Sequence, residues 1–191
     1  MLPTNHHVFA IGLSLLILGC SPKTSSDVTY SSKRMADGKE WLTENLKVKV
    51  DTMYCPQDDE KLCAKYGGLY PWQSAKKACA SAGDGWRLPT DGEWKTMAKF
   101  YGGVYDDSND NGKSAYVHLI SGGESGFNAV LGGNREPDGN YQRLEAHGFY
   151  WTSSEHDKAE AWFYNFGKGS PLLNHHTGDK RRALSVRCIR D

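Results

Sequence analysis

Aromatic side chains in the C-terminal half of the chain are the first candidates for binding chemistry. Trp151, Trp162 and Tyr164 stand among residues rich in Asn, Ser and Gly. Exposed aromatic rings flanked by hydrogen-bonding groups bind sugars, because the C–H face of a sugar is apolar and its rim is polar. Strand alternation places Trp162 and Tyr164 on one face and Phe163 on the other. The alternative, a core role, is favoured more strongly for Trp151 than for Trp162.

A polar loop offers a calcium-binding pattern. Asp107, Asn109, Asn111 and Gly112 match the first six positions of D-x-N-x-N-G, whose carboxylate and amide oxygens hold the cation. Position 12 of that pattern needs a bidentate Glu, and here it is His118. A solvated loop is therefore the favoured interpretation. Calcium is the alternative, and no other cofactor is expected.

The histidines do not form a catalytic or metal-binding pattern. His175 and His176 are adjacent, so on a strand they point to opposite faces and cannot chelate one ion together. The other histidines lack the spacings of known metal motifs. We therefore expect no catalytic residues and no enzyme activity.

Cys20 has the context of a lipidation site. It closes the run Ile17-Leu18-Gly19-Cys20, which is similar to a bacterial lipobox with cleavage before the cysteine and acylation of its thiol. Residues 8–18 are mostly apolar, the length of a signal-peptide core and too short for a membrane span. An uncleaved anchor or a buried strand is the alternative.

These features divide the chain into a leader, a linker and one domain. The predicted parts are a lipoprotein signal peptide (1–19), a flexible Ser/Thr-rich tether (20–33) and a single folded domain (34–191). The expected location is the bacterial cell envelope, in the outer membrane, with the lipid bilayer as partner. The chain has 23 basic and 23 acidic residues, and this balance argues against a nucleic-acid partner.

The four cysteines after Cys20 are an even set in an exported chain, which favours two disulfides. Three pairings are open. Cys55 and Cys63 are close in sequence and form a natural local pair, which would leave Cys79 to bridge to Cys188. A zinc site is disfavoured, because the C-x2-C and H-x3-H spacings are missing.

The elements that must position these residues are short. The segment WRLPTDGEW (86–94) predicts a helix over residues 91–101, because Thr90 and Glu93 form a capping box. Another helix is predicted over residues 72–82, and a helical turn over 115–120. We expect extended chain over residues 41–50 and strands over residues 127–131, 141–144, 149–153, 159–166, 172–176 and 183–189.

Several motifs in one order carry a family resemblance. The chain reads Trp41, Glu44-Asn45-Leu46, CAKYGGLY (63–70) and WRLPTDGEW, then SGFNA (125–129), GGNR (132–135), YWTSS (150–154) and SVRC (185–188). In that order it resembles the Fibrobacter succinogenes major paralogous domain over about residues 35–191. The resemblance implies an α+β, C-type-lectin-like fold, with two short helices in the N-terminal half packed on short, mostly antiparallel strands with long loops. It implies no established activity.

Proteins with the fold that the resemblance implies include the C-type lectins and the formylglycine-generating enzymes, and single features of this chain can be compared with both. A Cys79–Cys188 bridge is similar to the disulfide that ties a first helix to the last strand of lectin-like domains. Glu136-Pro137-Asp138 resembles a lectin sugar-binding loop, although a hairpin turn is the favoured interpretation. The formylglycine-generating enzymes share an RLPT-x-x-EW segment, but they use a cysteine pair where this chain has Cys188 alone.

The leading expectation is a non-catalytic surface or periplasmic lipoprotein that binds a carbohydrate or a protein. The alternatives are an oxidase-like enzyme related to the formylglycine-generating group and a structural component of the envelope.

Overall fold

The structure is a computed structural model that describes Met1 and residues 29–191. Apart from Met1, the predicted signal peptide lies outside these residues, and so do the Cys20 lipidation site and most of the tether. Residues 29–191 form a mixed α+β fold with four helices and ten strands in three antiparallel sheets. None of the helices described is long and apolar enough to cross a membrane.

Two of the four helices are those that capping and periodicity predict, and a third covers most of the helical turn predicted over residues 115–120. The bounds are α1 (Glu60–Tyr66), α2 (Trp72–Ala80), α3 (Asp91–Lys99) and α4 (Lys113–Leu119). The capping box at α3 is confirmed: the Glu93 amide donates to Thr90 Oγ1 at 3.2 Å, and the Thr90 amide donates to the Glu93 carboxylate at 2.9 Å. Helices α2 and α3 each end two residues before the predicted end.

The ten strands are β1 (Ser32–Arg34), β2 (Glu40–Leu42), β3 (Tyr70–Pro71), β4 (Asn134–Arg135), β5 (Tyr141–Gln142), β6 (His147–Glu155), β7 (Glu160–Gly167), β8 (Leu173–Asp179), β9 (Ala183–Leu184) and β10 (Ile189–Arg190). They form sheets of order β1-β2-β10, β3-β9-β4-β5 and β6-β7-β8. Strand β1 starts before the predicted domain boundary at residue 34.

The sheet β6-β7-β8 separates two cores, because alternate residues of its strands point to opposite faces. On one face Tyr150 and Tyr164 pack with Trp94 of α3. On the other face Trp151 and Phe163 pack in the cluster that contains Trp72 of α2. Trp151 and Tyr164, on neighbouring strands, therefore belong to different cores.

Both disulfide predictions are confirmed. Cys55 and Cys63 are bonded across eight positions, beside the start of α1. Cys79 of α2 and Cys188 are bonded across 109 positions, and both are fully buried. The long bridge ties α2 to the segment that leads into β10.

Two strand predictions differ from the structure, and a third, over residues 141–144, is confirmed only over β5, because Arg143 has a positive φ of 59°. Residues 127–131 are not a strand, because Asn128 has a positive φ of 56° and turns the chain. The segment 41–50, predicted only as extended chain, pairs as a strand at its start, in β2. Residues 183–189 are split into β9 and the start of β10, because the backbone between them bonds to other segments: the Leu46 amide donates to the Val186 carbonyl and the Leu42 amide to the Cys188 carbonyl.

Candidate functional site

Trp162 is the aromatic residue of β7 that reaches the surface. Its neighbours Phe163, Tyr164 and Phe166 are buried, whereas Trp162 is half-buried. The indole stacks on the His175 ring of β8, with centroids 4.3 Å apart and planes 12° apart. His156 meets it edge-on at 5.1 Å. These two contacts hold the indole in one orientation at the open end of the sheet.

His175 is itself held by an acidic partner. Its Nε2 lies 2.6 Å from Oδ1 of Asp91, the first residue of α3. The Tyr164 hydroxyl donates to the same carboxylate at 3.2 Å. Partial burial acts to raise the pKa of Asp91, but the hydrogen bond and charge of His175 outweigh it, so the pKa lies below its usual value. The carboxylate at a helix N-terminus is also favoured by the helix dipole.

The rim of this surface is polar. Thr177 lies opposite Trp162 in the strand register, and its hydroxyl donates to the Glu160 carboxylate at 2.6 Å. Glu160 and Trp162 share one face of β7, because they are two residues apart. We call the set the Trp162 patch; its members are Asp91, His156, Glu160, Trp162, His175 and Thr177.

Trp151 and Tyr164 are corrections to the predicted ligand surface. Both have 0% exposure and offer no ring face to a ligand. The indole N–H of Trp151 donates to the Tyr70 carbonyl at 2.9 Å, inside the core that holds α2. Tyr164 does share a face with Trp162, as alternation predicts, but Trp94 stacks on its ring at 4.9 Å. The covering by α3 leaves only the Trp162 end of that face open.

The loop with the calcium pattern uses several of its polar groups internally. Asp107 forms an ion pair with Lys95 at 3.2 Å. The Asp110 carboxylate accepts from the Ser114 amide at 2.9 Å, and hydrogen bonds from Ser114 lower its pKa. Asn111 takes a positive φ of 58°. Calcium binding by Asp107, Asn109 and Asn111 stays a prediction.

The Glu136-Pro137-Asp138 segment is a hairpin turn, as favoured. It joins β4 to β5, and the Gly139 amide donates to the Glu136 carbonyl at 3.0 Å. The Glu136 carboxylate binds Arg182 at 2.6 Å and lies 3.5 Å from Arg143. Both guanidinium groups lie against the same oxygen, Oε1, so this oxygen of Glu136 is already paired with cations of the protein.

One group of three metal-binding side chains occurs among residues 29–191. Its ligand atoms, from Cys55, Glu60 and Cys63, lie within 4.8 Å of one another. Because the two cysteines are joined in a disulfide, their sulfurs are not thiolate ligands.

Comparison with known proteins identifies the family. A model of the Fibrobacter succinogenes major domain matches residues 28–190. The chain belongs to this family. No curated protein and no solved structure matches the chain. The name of the Fibrobacter succinogenes major domain states no activity, so the function must be argued from the side chains.

Several family-like motifs meet at one buried side chain, Arg187 of SVRC. Its Nε donates to Asn45 Oδ1 at 2.6 Å, and its terminal nitrogens donate to the carbonyls of Leu42, Phe127 and Asn128. The contacts join the ENL, SGFNA and SVRC motifs of the Fibrobacter succinogenes major domain. Arg87 of WRLPTDGEW instead forms two hydrogen bonds with Glu93, of 2.7 and 2.6 Å. Both arginines therefore hold the fold together.

Sequence reasoning missed the Asp91–His175 pair. The two residues are 84 positions apart, and nothing local links them. Asp91 reads as an ordinary first residue of a helix, and His175 as one of two adjacent histidines. The pair forms only because α3 packs over the third sheet.

Proposed function

We propose that this member of the Fibrobacter succinogenes major domain family is a non-catalytic binding module for a carbohydrate. The observation that carries the proposal is the Trp162 patch. Its indole stays at the surface while the other aromatic rings of β7 are buried. Stacking on His175 fixes the ring before any ligand arrives, which reduces the entropy cost of binding.

The groups around Trp162 match the polar rim of a sugar. Glu160 offers carboxylate acceptors, Thr177 a hydroxyl, and His156 ring nitrogens at the exposed edge. A sugar packed against the exposed part of the indole would meet these hydrogen-bonding groups at its polar rim. We expect the ligand to be an extended glycan or a chain end, because a single partly exposed ring at a surface suits such a ligand better than an enclosed small molecule.

A glycan array combined with a pull-down tests this proposal. The purified chain should bind a limited set of glycans. If the array shows no glycan binding and the pull-down captures a specific protein through Trp162, the ligand is a protein and not a carbohydrate. Blank results in both experiments would contradict a binding role.

We also propose that the domain has a C-type-lectin-like arrangement and reaches the cell envelope through a lipid on Cys20. The support is the bridge between α2 and the C-terminal segment, together with the lipobox-like run. Incorporation of a labelled fatty acid should be lost in Cys20→Ala. Labelling that persists in this variant would contradict the lipid attachment.

The oxidase-like alternative can be tested by its need for a free cysteine. An enzyme of that kind needs a reactive thiol, and the four cysteines among residues 29–191 are all in disulfides. A free-thiol assay on the chain with Cys20→Ala separates the two hypotheses. A binding module should show no free thiol, and a reactive thiol would favour the enzyme.

A further inference from the structure

Glu160 is a carboxylate of the Trp162 patch that pairs with no cation among residues 29–191. It is partly buried at the start of β7, and none of the ion pairs in this part of the chain includes it. The Thr177 hydroxyl donates to its Oε2 at 2.6 Å. Because each carboxylate oxygen accepts hydrogen bonds on its own, Oε1 keeps its accepting capacity.

The carboxylate nearest in the strand register is compensated, and this sets Glu160 apart. Asp179 of β8 lies directly opposite Glu160. Like charges at such a cross-strand pair repel each other. Arg181 forms an ion pair with Asp179 at 2.5 Å, and its Nε donates to the same carboxylate at 3.0 Å. Within residues 29–191 the negative charge of Asp179 is therefore balanced, whereas that of Glu160 is not.

The Glu160 carboxylate is held close to the exposed indole. Thr177, which donates to it, lies directly opposite Trp162 in the strand register. Opposite side chains on one face of a sheet have Cβ atoms about 5 Å apart, so this hydrogen bond draws the carboxylate toward the indole. His175 stacks on one face of the indole at 4.3 Å, and the His156 ring meets it edge-on. The patch thus combines a fixed aromatic ring with a carboxylate that no cation of the described fold neutralises.

An aromatic ring beside an uncompensated carboxylate recognises an ammonium group. The face of an indole attracts a cation through the quadrupole of the ring, and a carboxylate accepts charge-assisted hydrogen bonds from ammonium N–H groups. A carboxylated sugar would be repelled by the charge of Glu160 at the same position. The charge of the patch therefore favours a cationic ligand over an anionic one.

We propose that the ligand of the Trp162 patch is a glycan with a free, protonated amine, and that Glu160 determines this specificity. The proposal rests on the carbohydrate function proposed above and narrows it to amino sugars. The sugar ring packs against the indole, and its ammonium group donates to Oε1 of Glu160. The Thr177 oxygen, whose hydrogen is used by Oε2, accepts from a sugar hydroxyl.

Titration with three glycan tetramers tests the specificity of the purified chain. The tetramers consist of glucosamine, N-acetylglucosamine or glucuronic acid, so at pH 6 they are positive, neutral and negative. The glucosamine tetramer should bind about tenfold more tightly than the N-acetylated one, because only the free amine forms the charge-assisted hydrogen bond. The glucuronic acid tetramer should bind most weakly.

Glu160→Gln separates a specificity role from a structural one. The amide keeps an oxygen for the Thr177 hydroxyl but removes the charge, so the preference for glucosamine should fall to within about twofold. Affinity for the N-acetylated tetramer should stay within about twofold of the parent, because the fold and the indole are intact. The matched control is Glu124→Gln, which removes the same charge from a side chain that is 90% exposed and lies outside the patch. The preference should persist in this control.

The outcomes separate the amino-sugar proposal from the carbohydrate proposal. If the glycan array shows binding through Trp162 but the glucosamine preference is absent or survives Glu160→Gln, the amino-sugar proposal is overturned and the carbohydrate proposal stands. An equal loss of preference in Glu160→Gln and Glu124→Gln would reflect the total charge of the chain and would also overturn the amino-sugar proposal. If no glycan binds in the array or the titration, both proposals are overturned.

Discussion

Removal of the two disulfides separately should give unequal losses of stability. The Cys79–Cys188 bond closes 109 positions and the Cys55–Cys63 bond closes eight. In the chain-entropy model, closing the long loop contributes about 5 kcal/mol to the free energy of unfolding, and the short loop about 2.5 kcal/mol. Cys79→Ala/Cys188→Ala should therefore cost about 2 kcal/mol more than Cys55→Ala/Cys63→Ala.

Urea unfolding followed by tryptophan fluorescence and circular dichroism measures both costs. The four disulfide cysteines are all buried, with exposures of 8% or less, so truncation to Ala removes similar packing in each pair. The parent chain under full reduction is the control, since it keeps the sulfurs and loses both loop closures. Equal costs for the two pairs, or a larger cost for the short loop, would refute the entropic reasoning.

Three further predictions concern the fold and its pH dependence. Thermal unfolding should show that Gly67→Ala lowers the free energy of unfolding by about 1–3 kcal/mol more than Gly38→Ala does. The backbone φ is nearly the same at the two glycines, 78° and 79°, but a Cβ at Gly67 would come within 2.5 Å of a side chain, whereas a Cβ at Gly38 meets nothing within 4 Å. An equal cost would show that the neighbours move aside. Hydrogen bonding to a guanidinium lowers the pKa of Glu93 from 4.5 to about 2, so its contribution of about 2–3 kcal/mol is present above pH 4.5 and is lost as pH falls to 2. Urea unfolding of parent and Glu93→Gln should differ by that amount at pH 6 and converge near pH 2; a constant difference would contradict this. Trp151→Ala should lower the free energy of unfolding by about 3–5 kcal/mol, and Trp162→Ala by about 1 kcal/mol. The reverse order would contradict the assignment of Trp151 to the core and Trp162 to the surface.

The parts of the fold that local chemistry determines could be predicted. Helix α3 begins after Thr90 because the cap, Pro89 and Glu93 act within a few residues of one another. Strands β6, β7 and β8 follow from short apolar or aromatic runs that are separated by turn residues. Helix α1 was missed although its signals are present: Asp59 accepts a hydrogen bond at its N-cap, and Gly67 follows its end.

The parts that tertiary contacts determine could not be predicted. Residues 127–131 have the composition of a strand, but their carbonyls bind Arg187 from the far end of the chain. The run at residues 183–189 alternates as one strand, yet its middle bonds to segments near Leu42 and Leu46. Distant segments compete with neighbouring strands for these backbone hydrogen bonds, and the sequence around a residue gives no sign of such distant partners.

Only part of the candidate site could be predicted, because tertiary contacts determine the rest. Alternation correctly placed Trp162 and Tyr164 on one face, but it could not show that α3 covers one end of that face. Trp151 lies opposite Phe163 in the strand register, so its side chain points to the face away from Trp162. Packing of α2 on that face buries the Trp151 ring. Asp91 and His175 meet through packing alone.

Glycan binding by matched tryptophan variants tests the central claim most directly. The chain has six tryptophans; four are fully buried, and Trp86 and Trp162 are half-buried. Trp86 contacts Arg190 at 4.5 Å, outside the Trp162 patch, so Trp86→Ala is a matched control. On one array, the parent and Trp86→Ala should bind the same glycans, and Trp162→Ala should lose them. Glycan binding that survives Trp162→Ala unchanged would contradict the account.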